Sequence, residues 1–227
     1  MGAARGSGAD VVVLAAGRSS RLGEPKGLVL VEGKPWIFHQ LDAIGSRRVV
    51  VVLGHDRDRY LASVPQLAAR ARIVTNPDPD RGPFSSLQVG LAEVTPGANA
   101  FVLPVDVPAA GEPVWAALEA ALAARAPGEA ALAARAPGEA ALAALPEYQG
   151  GQSDQGGRGG RGGGGHPVLL AAPLAAEILR LPPSSRLDEV LRRPATLASV
   201  LRIPVADPRV RLNLNTAEDW GKVRVGG

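Results

Sequence analysis

The amino-acid sequence predicts an α/β fold in which helices cover both faces of a mostly parallel sheet. Short runs of consecutive β-branched residues, such as Val49–Leu53, lead to this prediction. Such runs are typical of strands buried on both faces, because a half-exposed strand would alternate apolar and polar residues. Helical patterns separate the runs, and this alternation favours right-handed crossovers between parallel strands.

The predicted elements follow in order along the chain. In the first half, the strands are Val11–Leu14, Val49–Leu53, Ile73–Val74 and Ala100–Leu103, and the helices are Trp36–Ile44 and Ser85–Glu93. After a helix that begins at Pro113, we predict a strand at Pro167–Leu170, helices at Pro173–Leu181 and Arg186–Leu191, and a strand within Leu197–Val205. A last helix follows Asn213–Thr216, with Thr216 as its N-cap and Glu218 and Asp219 in its first turn.

The middle of the chain contains a tandem duplication. The sequence EAALAARAPG occupies residues 119–128 and recurs unchanged at 129–138, and a third, partial copy begins at Glu139. Ten residues are too few for a solenoid repeat, which needs about 20 or more, and each copy ends in a Pro-Gly helix breaker. We therefore interpret 119–145 as a helix and loop lengthened by duplication; without two copies, Pro113 to Leu145 would read as one helix.

Residues 149–165 are dominated by glycine and include Arg158 and Arg161. This composition cannot bury a core, so we predict a flexible loop. We interpret residues 1–227 as one domain, because their number suits a single α/β unit with its own core.

Composition excludes several classes of protein. Hydrophobic residues make up 46% of the chain, which is typical of a globular enzyme. The absence of cysteine excludes disulfides, zinc–thiolate sites and thiol catalysis. The formal net charge of +3 does not require nucleic acid or a membrane surface as a partner. No targeting segment or membrane span is evident, so we expect a cytoplasmic protein.

The most informative stretch runs from Leu14 to Lys26 and follows the first buried strand. Open α/β folds bind ligands at the carboxyl ends of their strands. Small residues at the start of the stretch let backbone N–H groups approach a phosphate chain: Ala15, Ala16 and Gly17. Cationic side chains would spread charge along it: Arg18, Arg21 and Lys26. Neither a P-loop nor a G-x-G-x-x-G pattern is present, and a polar glycine loop with surface cations is the alternative.

This stretch resembles the L-A-A-G-x-S-x-R-x-G-x-x-K signature of the molybdenum-cofactor nucleotidyltransferases, the MobA/MocA-like NTP transferases. More distantly, it is similar to the sugar-1-phosphate nucleotidyltransferases. Every fixed position is met: Leu14, Ala15, Ala16, Gly17, Ser19, Arg21, Gly23 and Lys26. The resemblance implies a Rossmann-like three-layer α/β/α fold, a nucleoside triphosphate on this loop, Mg²⁺ as cofactor, and Arg21 and Lys26 as catalytic residues.

Asp106 lies in the sequence Pro104-Val-Asp-Val-Pro108, just after another predicted strand. A carboxylate there is costly unless it meets a cation, and Mg²⁺ takes one or two carboxylates together with phosphate oxygens. From the residues alone, an aspartate that caps the next helix is an equal alternative. The resemblance implies that Asp106 is the magnesium ligand and a catalytic residue, with Pro104 beside the nucleotide.

Two further segments resemble family motifs. Asn76 is followed by Gly82-Pro-Phe-Ser85-Ser86, and the resemblance implies that this segment borders the nucleotide or the acceptor. Ser85 or Ser86 would cap the following helix in either interpretation. Gly165-His166-Pro167 resembles the G-H-P of cytidylyl-transferring members, which makes His166 a candidate acceptor contact, whereas a solvated histidine is the ordinary alternative.

Asn213 and Asn215 precede the last predicted helix. Alternation places both on one face, where an amide oxygen can complete a metal or phosphate site. We expect Asn215 to help Asp106 hold Mg²⁺, and Asn213 to contact the acceptor. Many family members carry aspartates at these two positions. The asparagines resemble the guanylyl-transferring branch, whereas Ala16 and the G-H-P resemble the cytidylyl branch.

These observations predict a Mg²⁺-dependent nucleotidyltransferase. Our interpretation is that it moves CMP from CTP to a phosphorylated small-molecule acceptor such as molybdopterin, and releases pyrophosphate. The alternatives are a sugar-1-phosphate or other small-metabolite nucleotidyltransferase, GTP as the donor, and an RNA-binding protein that uses the glycine–arginine segment. Two arginines without interleaved aromatic residues make a poor nucleic-acid platform. The base, the acceptor and the oligomeric state stay open.

Overall fold

A computed structural model of the chain describes residues 8–19, 22–124, 140–149, 165–216 and 218–221. The strands are β1 (Asp10–Ala15), β2 (Leu30–Val31), β3 (Lys34–Pro35), β4 (Val49–Leu53), β5 (Arg72–Thr75), β6 (Ala100–Pro104), β7 (Ala143–Tyr148), β8 (Val168–Leu170) and β9 (Val200–Val205). The α-helices are α1 (Trp36–Ile44), α2 (Arg57–Ser63), α3 (Leu67–Arg70), α4 (Pro83–Leu91), α5 (Glu112–Ala124), α6 (Ala172–Ile178), α7 (Leu187–Arg192) and α8 (Pro194–Leu197). Short 3₁₀ helices cover Lys26–Leu28, Pro79–Arg81 and Pro208–Arg211.

The main sheet has seven strands in the order β5-β4-β1-β6-β8-β7-β9. Strands β5, β4, β1 and β6 pair in parallel, and so do β7 and β9. Strand β8 is antiparallel to both of its neighbours, β6 and β7. The prediction of an α/β fold with a mostly parallel sheet is therefore confirmed.

The valine runs are buried because helices pack on both faces of the central strands. Val11 and Val13 point into one core cluster, which includes residues of α1 and α5. Val12 points into the other, which includes residues of α4 and α6. All three valines are fully buried. Consecutive apolar residues are thus needed wherever a strand is covered on both sides.

Strand β7 differs from the prediction. With two copies set aside, a helix was predicted from Pro113 to Leu145, whereas the structure describes α5 over Glu112–Ala124 and has a strand at Ala143–Tyr148. Alanine favours helices when no other contact decides. Here β7 lies between β8 and β9, and backbone pairing on both sides overrides that preference. Residues 119–124, the start of the first copy, belong to α5. Residues 125–139, which hold most of the duplication, and the glycine-rich residues 150–164 lie outside the described residues.

Several short elements were not predicted: the antiparallel β2–β3 pair and helices α2, α3 and α8. Each has only two to seven residues, which leaves few positions in which a period can show. The last predicted helix is present at residues 218–221. Thr216 is its N-cap: the Asp219 N–H donates to Thr216 Oγ1 at 3.2 Å, and the Thr216 N–H donates to Asp219 Oδ2 at 2.9 Å. Within the described ranges, no helix is both long and apolar enough to cross a bilayer.

Helix α4 packs against the sheet through Gly90. A Cβ atom at this position would overlap Val12 Cγ1 and would lie 2.8 Å from Val52 Cγ2. We expect Gly90→Ala to lower the free energy of unfolding, because overpacking costs about 1–3 kcal/mol and exceeds the roughly 1 kcal/mol that alanine gains in a helix. Urea denaturation measures this. Gly221→Ala is the matched control, because a Cβ there meets nothing within 4 Å; equal stability of the two variants would contradict the packing argument.

Candidate active site

A cavity of about 560 Å³ lies at the carboxyl ends of the central strands. Its walls come from the loop after β1, the residues after β6, and the segment around Asn213 and Asn215. Parallel sheets bind ligands at this edge because the loops that follow neighbouring strands meet there. Most of the residues predicted to bind the nucleotide line it: Leu14, Ala15, Ala16, Gly17, Ser19, Lys26, Ser86 and Pro104.

The loop after β1 is closed by Ser19. Its Oγ accepts a hydrogen bond from the Lys26 N–H at 3.1 Å. Its carbonyl accepts from the N–H groups of Leu22 and Gly23 at 3.0 and 3.2 Å. The backbone N–H groups of Gly17 and Arg18 donate to no residue in the described part of the chain, and such groups can bind an anion.

Arg21 was predicted to be catalytic, but Ser20 and Arg21 lie outside the described residues. Arg18, predicted to bind the nucleotide, does not line the cavity. Its guanidinium forms a forked ion pair with Asp80, the shortest contact being 2.6 Å. The hydrogen bonds from Arg18 hold the pKa of the Asp80 carboxyl below its ordinary value, and His55 Nε2 lies 3.2 Å from the same carboxylate. Both members of the Arg18–Asp80 pair are exposed, so the pair contributes little to stability.

Lys26, Asp106 and Asn215 meet at the centre of the site. The Lys26 ammonium donates to Asp106 Oδ2 at 2.7 Å and to Asn215 Oδ1 at 2.8 Å. The side chains of Lys26 and Asp106 are only 17% and 21% exposed. A hydrogen bond from Leu214 N to the Asp106 carbonyl, at 2.7 Å, fixes the asparagine segment beside the aspartate. Asp106 is therefore not a helix cap, and α5 begins only at Glu112.

The oxygen atoms that face Lys26 suit a hard cation. A carboxylate and an amide carbonyl are the ligand types that Mg²⁺ accepts, and Mg²⁺ usually completes its coordination with water and substrate phosphates. Within the described ranges there is no group of three or more His, Asp or Glu side chains that would hold a metal without such help. Asp106 and Asn215 thus fit a cation that arrives with a phosphate ligand.

Asn76 organises the wall opposite the β1 loop. It is 4% exposed, and its Nδ2 donates to the hydroxyl oxygens of Ser85 and Ser86, both at 2.9 Å. Its Oδ1 accepts from the Asp78 N–H at 3.0 Å. Ser86 lines the cavity, whereas Asn76 and Ser85, which were also predicted to bind the nucleotide, do not. Ser85 does not cap α4, because its Oγ donates to the Gly82 carbonyl at 2.8 Å and the N-cap position is Gly82.

The two predicted acceptor contacts lie in different surroundings. Asn213 is exposed and lines the cavity. His166 is half-buried and does not line it, and its Nδ1 is buried with no hydrogen-bond partner among the described residues. Burial lowers the pKa of the His166 imidazole, although a hydrogen bond to the Val102 backbone and the charge of Asp106 each raise it.

Gly82 and Pro83 also line the cavity, and they belong to the segment predicted to border the nucleotide or the acceptor. Three lining residues were not predicted: Pro79, Val105 and Tyr60. Tyr60 belongs to α2, a helix that the sequence analysis missed. In the sequence, Tyr60 is marked only by being the one Phe, Trp or Tyr in a polar stretch. Such residues are usually buried for packing alone, so this feature does not predict a site residue.

Comparison with known proteins decides the family. The model of the MobA-like NTP transferase domain matches residues 11–199. The chain belongs to this family. The resemblance inferred from the β1 loop is therefore confirmed, and so is the prediction that the chain carries a nucleotidyltransferase domain.

Relatives with assigned names match parts of this MobA-like chain. The bifunctional protein GlmU of Azoarcus sp. is 36% identical over 117 residues, which are 49% of this chain and 25% of that protein. The CMP-5'-(3-aminopropyl)phosphonate synthase of Streptomyces rubellomurinus is 39% identical over 127 residues, 50% of this chain and 20% of that protein. The probable molybdenum cofactor guanylyltransferase of Methanothermobacter thermautotrophicus is 33% identical over 100 residues, 44% of this chain and 50% of that protein. These matches span half or less of the relatives' lengths.

Solved structures share the fold over nearly the whole chain. Rv0371c of Mycobacterium tuberculosis has a TM-score of 0.69 and 22% identity, over 96% of this chain and 99% of that chain. A nucleotidyl transferase of Methanothermobacter thermautotrophicus has a TM-score of 0.68 and 22% identity, over 97% and 98% of the two chains. At this identity the comparison confirms the fold only, which is the nucleotidyltransferase Rossmann-like α/β fold predicted from the sequence.

We expect Asn76→Ala to destabilise the protein and to disorder one wall of the cavity. It removes two buried hydrogen bonds and a partly buried one, and each buried group left without a partner costs about 1–3 kcal/mol. Urea denaturation and crystallography of the variant test this. Asn99→Ala is the control, because within the described residues the Asn99 side chain has a single hydrogen bond, an exposed one that its Oδ1 accepts from the Ala172 N–H. A similar, small effect of both changes would contradict the role assigned to Asn76.

Proposed function

We propose that this protein transfers CMP from CTP to a phosphorylated small molecule such as molybdopterin, with Mg²⁺ as cofactor and pyrophosphate as the second product. The observation that carries the proposal is the convergence of Lys26, Asp106 and Asn215 within hydrogen-bond distance, at the cavity edge where the loop after β1 lies. Cation, carboxylate and amide oxygen are the groups that a metal-bound triphosphate needs around it.

The loop after β1 would hold the triphosphate. The N–H groups of Gly17 and Arg18 supply donors that are not used by described residues, and Lys26 supplies positive charge at the far end of the loop. Arg18 would join them only by leaving Asp80, and Arg21 is proposed to act with Lys26 in the same role. Ser86 and Pro104 would border the nucleotide, because both line the cavity.

The reaction would need positioning and charge stabilisation more than proton transfer. An acceptor phosphate is already ionised at neutral pH, so its oxygen can attack the α-phosphorus in line without a general base. Lys26, Arg21 and the loop amides would stabilise the charge that develops as pyrophosphate leaves. Asp106 and Asn215 would hold Mg²⁺, which neutralises phosphate charge when bound. A structure of Rv0371c in complex with manganese supports a divalent-metal site in proteins of this fold.

A few residues bear on which base and which acceptor the protein uses. Ala16 and the Gly165-His166-Pro167 motif favour CTP, and one relative is named a CMP-5'-(3-aminopropyl)phosphonate synthase. Asn213 and Asn215 favour GTP, and two relatives are named molybdenum cofactor guanylyltransferases. Asn213 is proposed to contact the acceptor, because it lines the cavity. His166 would act indirectly, because it is not among the residues that line the cavity. Family membership favours all of these enzymes over the RNA-binding alternative.

The experiment that tests the proposal is a matrix of donors and acceptors. Each of CTP, GTP, ATP and UTP is incubated with molybdopterin or with a panel of sugar 1-phosphates, with and without Mg²⁺, and pyrophosphate release is measured. We expect Mg²⁺-dependent release with CTP and molybdopterin. Release with GTP and molybdopterin would correct the base, and release only with a sugar phosphate would correct the acceptor. Folded protein that releases no pyrophosphate in any pairing would refute the proposal.

Asp106→Asn keeps the shape of the side chain but removes its charge. We expect the turnover number to fall by about 100-fold or more, as it does when one electrostatic group of a preorganised site is lost. Steady-state pyrophosphate release measures this. Asp58→Asn is the matched control, because Asp58 is 91% exposed on α2 and should leave turnover unchanged. Full activity of the Asp106 variant would rule out the assigned role.

A further inference from the structure

Tyr60 is a buried aromatic residue in the wall of the cavity. It is 2% exposed and is the one buried residue of α2. The role proposed for the site uses the loop after β1, Lys26 and Asp106, and leaves Tyr60 without a function. Packing explains why the ring is buried, but it does not explain why the ring ends in a hydroxyl group.

The hydroxyl is fixed against the backbone that carries Lys26. Tyr60 Oη accepts a hydrogen bond from the Gly27 N–H at 2.9 Å. A Cβ atom at position 27 would lie 2.5 Å from that oxygen and 2.9 Å from Tyr60 Cε1, so only glycine fits there. The preceding N–H, that of Lys26, donates to Ser19 Oγ. The hydroxyl groups of two cavity-lining residues, Ser19 and Tyr60, therefore accept hydrogen bonds from the consecutive backbone N–H groups of Lys26 and Gly27.

The phenolic proton has no acceptor within the described part of the chain. A tyrosine hydroxyl can donate one hydrogen bond and accept others, and the structure shows Tyr60 only as an acceptor, from Gly27. A buried donor without a partner is costly. The cavity that Tyr60 lines is where an acceptor atom of a ligand would complete the bonding.

We propose that Tyr60 contacts the substrate, and that its hydroxyl donates a hydrogen bond to a phosphate oxygen bound beside Lys26. This inference rests on the proposed function, because it assumes that a phosphate chain lies along this wall. Phosphate is the expected partner because the Gly27 bond holds Tyr60 against the residue after Lys26, and both Tyr60 and the cationic Lys26 line the cavity. Burial raises the pKa of Tyr60, so the group stays protonated and can donate at neutral pH.

The first test compares two changes of identical chemistry. Tyr60→Phe removes the cavity hydroxyl, and Tyr148→Phe removes that of the other tyrosine, which does not line the cavity. Isothermal titration calorimetry measures binding of magnesium tripolyphosphate, which carries no base, and of cytidine, which carries no phosphate. We expect tripolyphosphate to bind about tenfold or more weakly to Tyr60→Phe, since a hydrogen bond to a charged group is lost. Its binding to Tyr148→Phe should change by less than about twofold, and cytidine should bind all three proteins alike.

The outcomes separate this inference from the proposed function. A purely structural role would lower the melting temperature of Tyr60→Phe but leave tripolyphosphate binding intact, or weaken cytidine and tripolyphosphate equally; either result overturns the inference alone. If the parent protein binds neither tripolyphosphate nor CTP, both the inference and the proposed function fail. If the parent binds tripolyphosphate but releases no pyrophosphate with any acceptor, only the proposed function fails.

A second measurement does not depend on the folding of Tyr60→Phe. The parent and Tyr148→Phe are labelled with 3-fluorotyrosine, and the variant assigns the two ¹⁹F resonances. We expect magnesium tripolyphosphate to shift the Tyr60 resonance and to leave that of Tyr148 in place. An unmoved Tyr60 resonance at saturating tripolyphosphate would overturn the inference.

Discussion

The parallel pairing of β1 with β6 is the constraint on which the candidate site depends. Leu14 lies level with Pro104 in the register, and the Val105 N–H extends the pairing to the Leu14 carbonyl at 3.0 Å. The loop after one strand and the aspartate after the other therefore begin side by side. A shift by one residue would turn every β1 side chain to the opposite face. Such a slip would also displace the loop after β1 from Asp106 by one strand position, about 3.3 Å, so the register fixes the geometry of the site.

Within that frame, Lys26 joins groups from three distant parts of the chain. Asp106 is 80 positions from Lys26, and Asn215 is 189 positions from it. The pair of Lys26 and Asp106 is largely shielded from water, and a shielded charge is costly without its partner. A metal-bound phosphate chain would bring both a cation for Asp106 and anions for Lys26. The ion pair between Lys26 and Asp106 could therefore be replaced by contacts from Lys26 to phosphate and from Asp106 to the metal, and neither charge would be left without a partner.

The central strands could be predicted because burial on both faces demands consecutive apolar residues, as in Val49–Leu53. The meeting of Lys26 and Asp106 at one end of the sheet could be expected, because each belongs to the segment that follows a buried strand. Strand β7 could not, since its alanines favour a helix until β8 and β9 pair with it. The link between Arg18 and Asp80 is also invisible in the sequence, because nothing in the local pattern of either residue records a surface contact 62 positions away. The hydrogen bond between Tyr60 and Gly27 could not be predicted either, because these two residues are also far apart in the sequence.

After its two unusual segments, the ten-residue copies and the glycine-rich stretch, the chain re-enters the sheet at opposite ends of the strands. After the ten-residue copies the chain resumes in β7 at Ala143, level with Leu170 and hence with Ala100, where the central strands start. After the glycine-rich stretch it resumes in β8, which runs the other way and starts at Val168, level with Val102 and nearer to where the ligand would lie. A change of length before β7 therefore joins the described fold at the end where the central strands start, whereas a change of length before β8 joins it nearer to the residues that line the cavity.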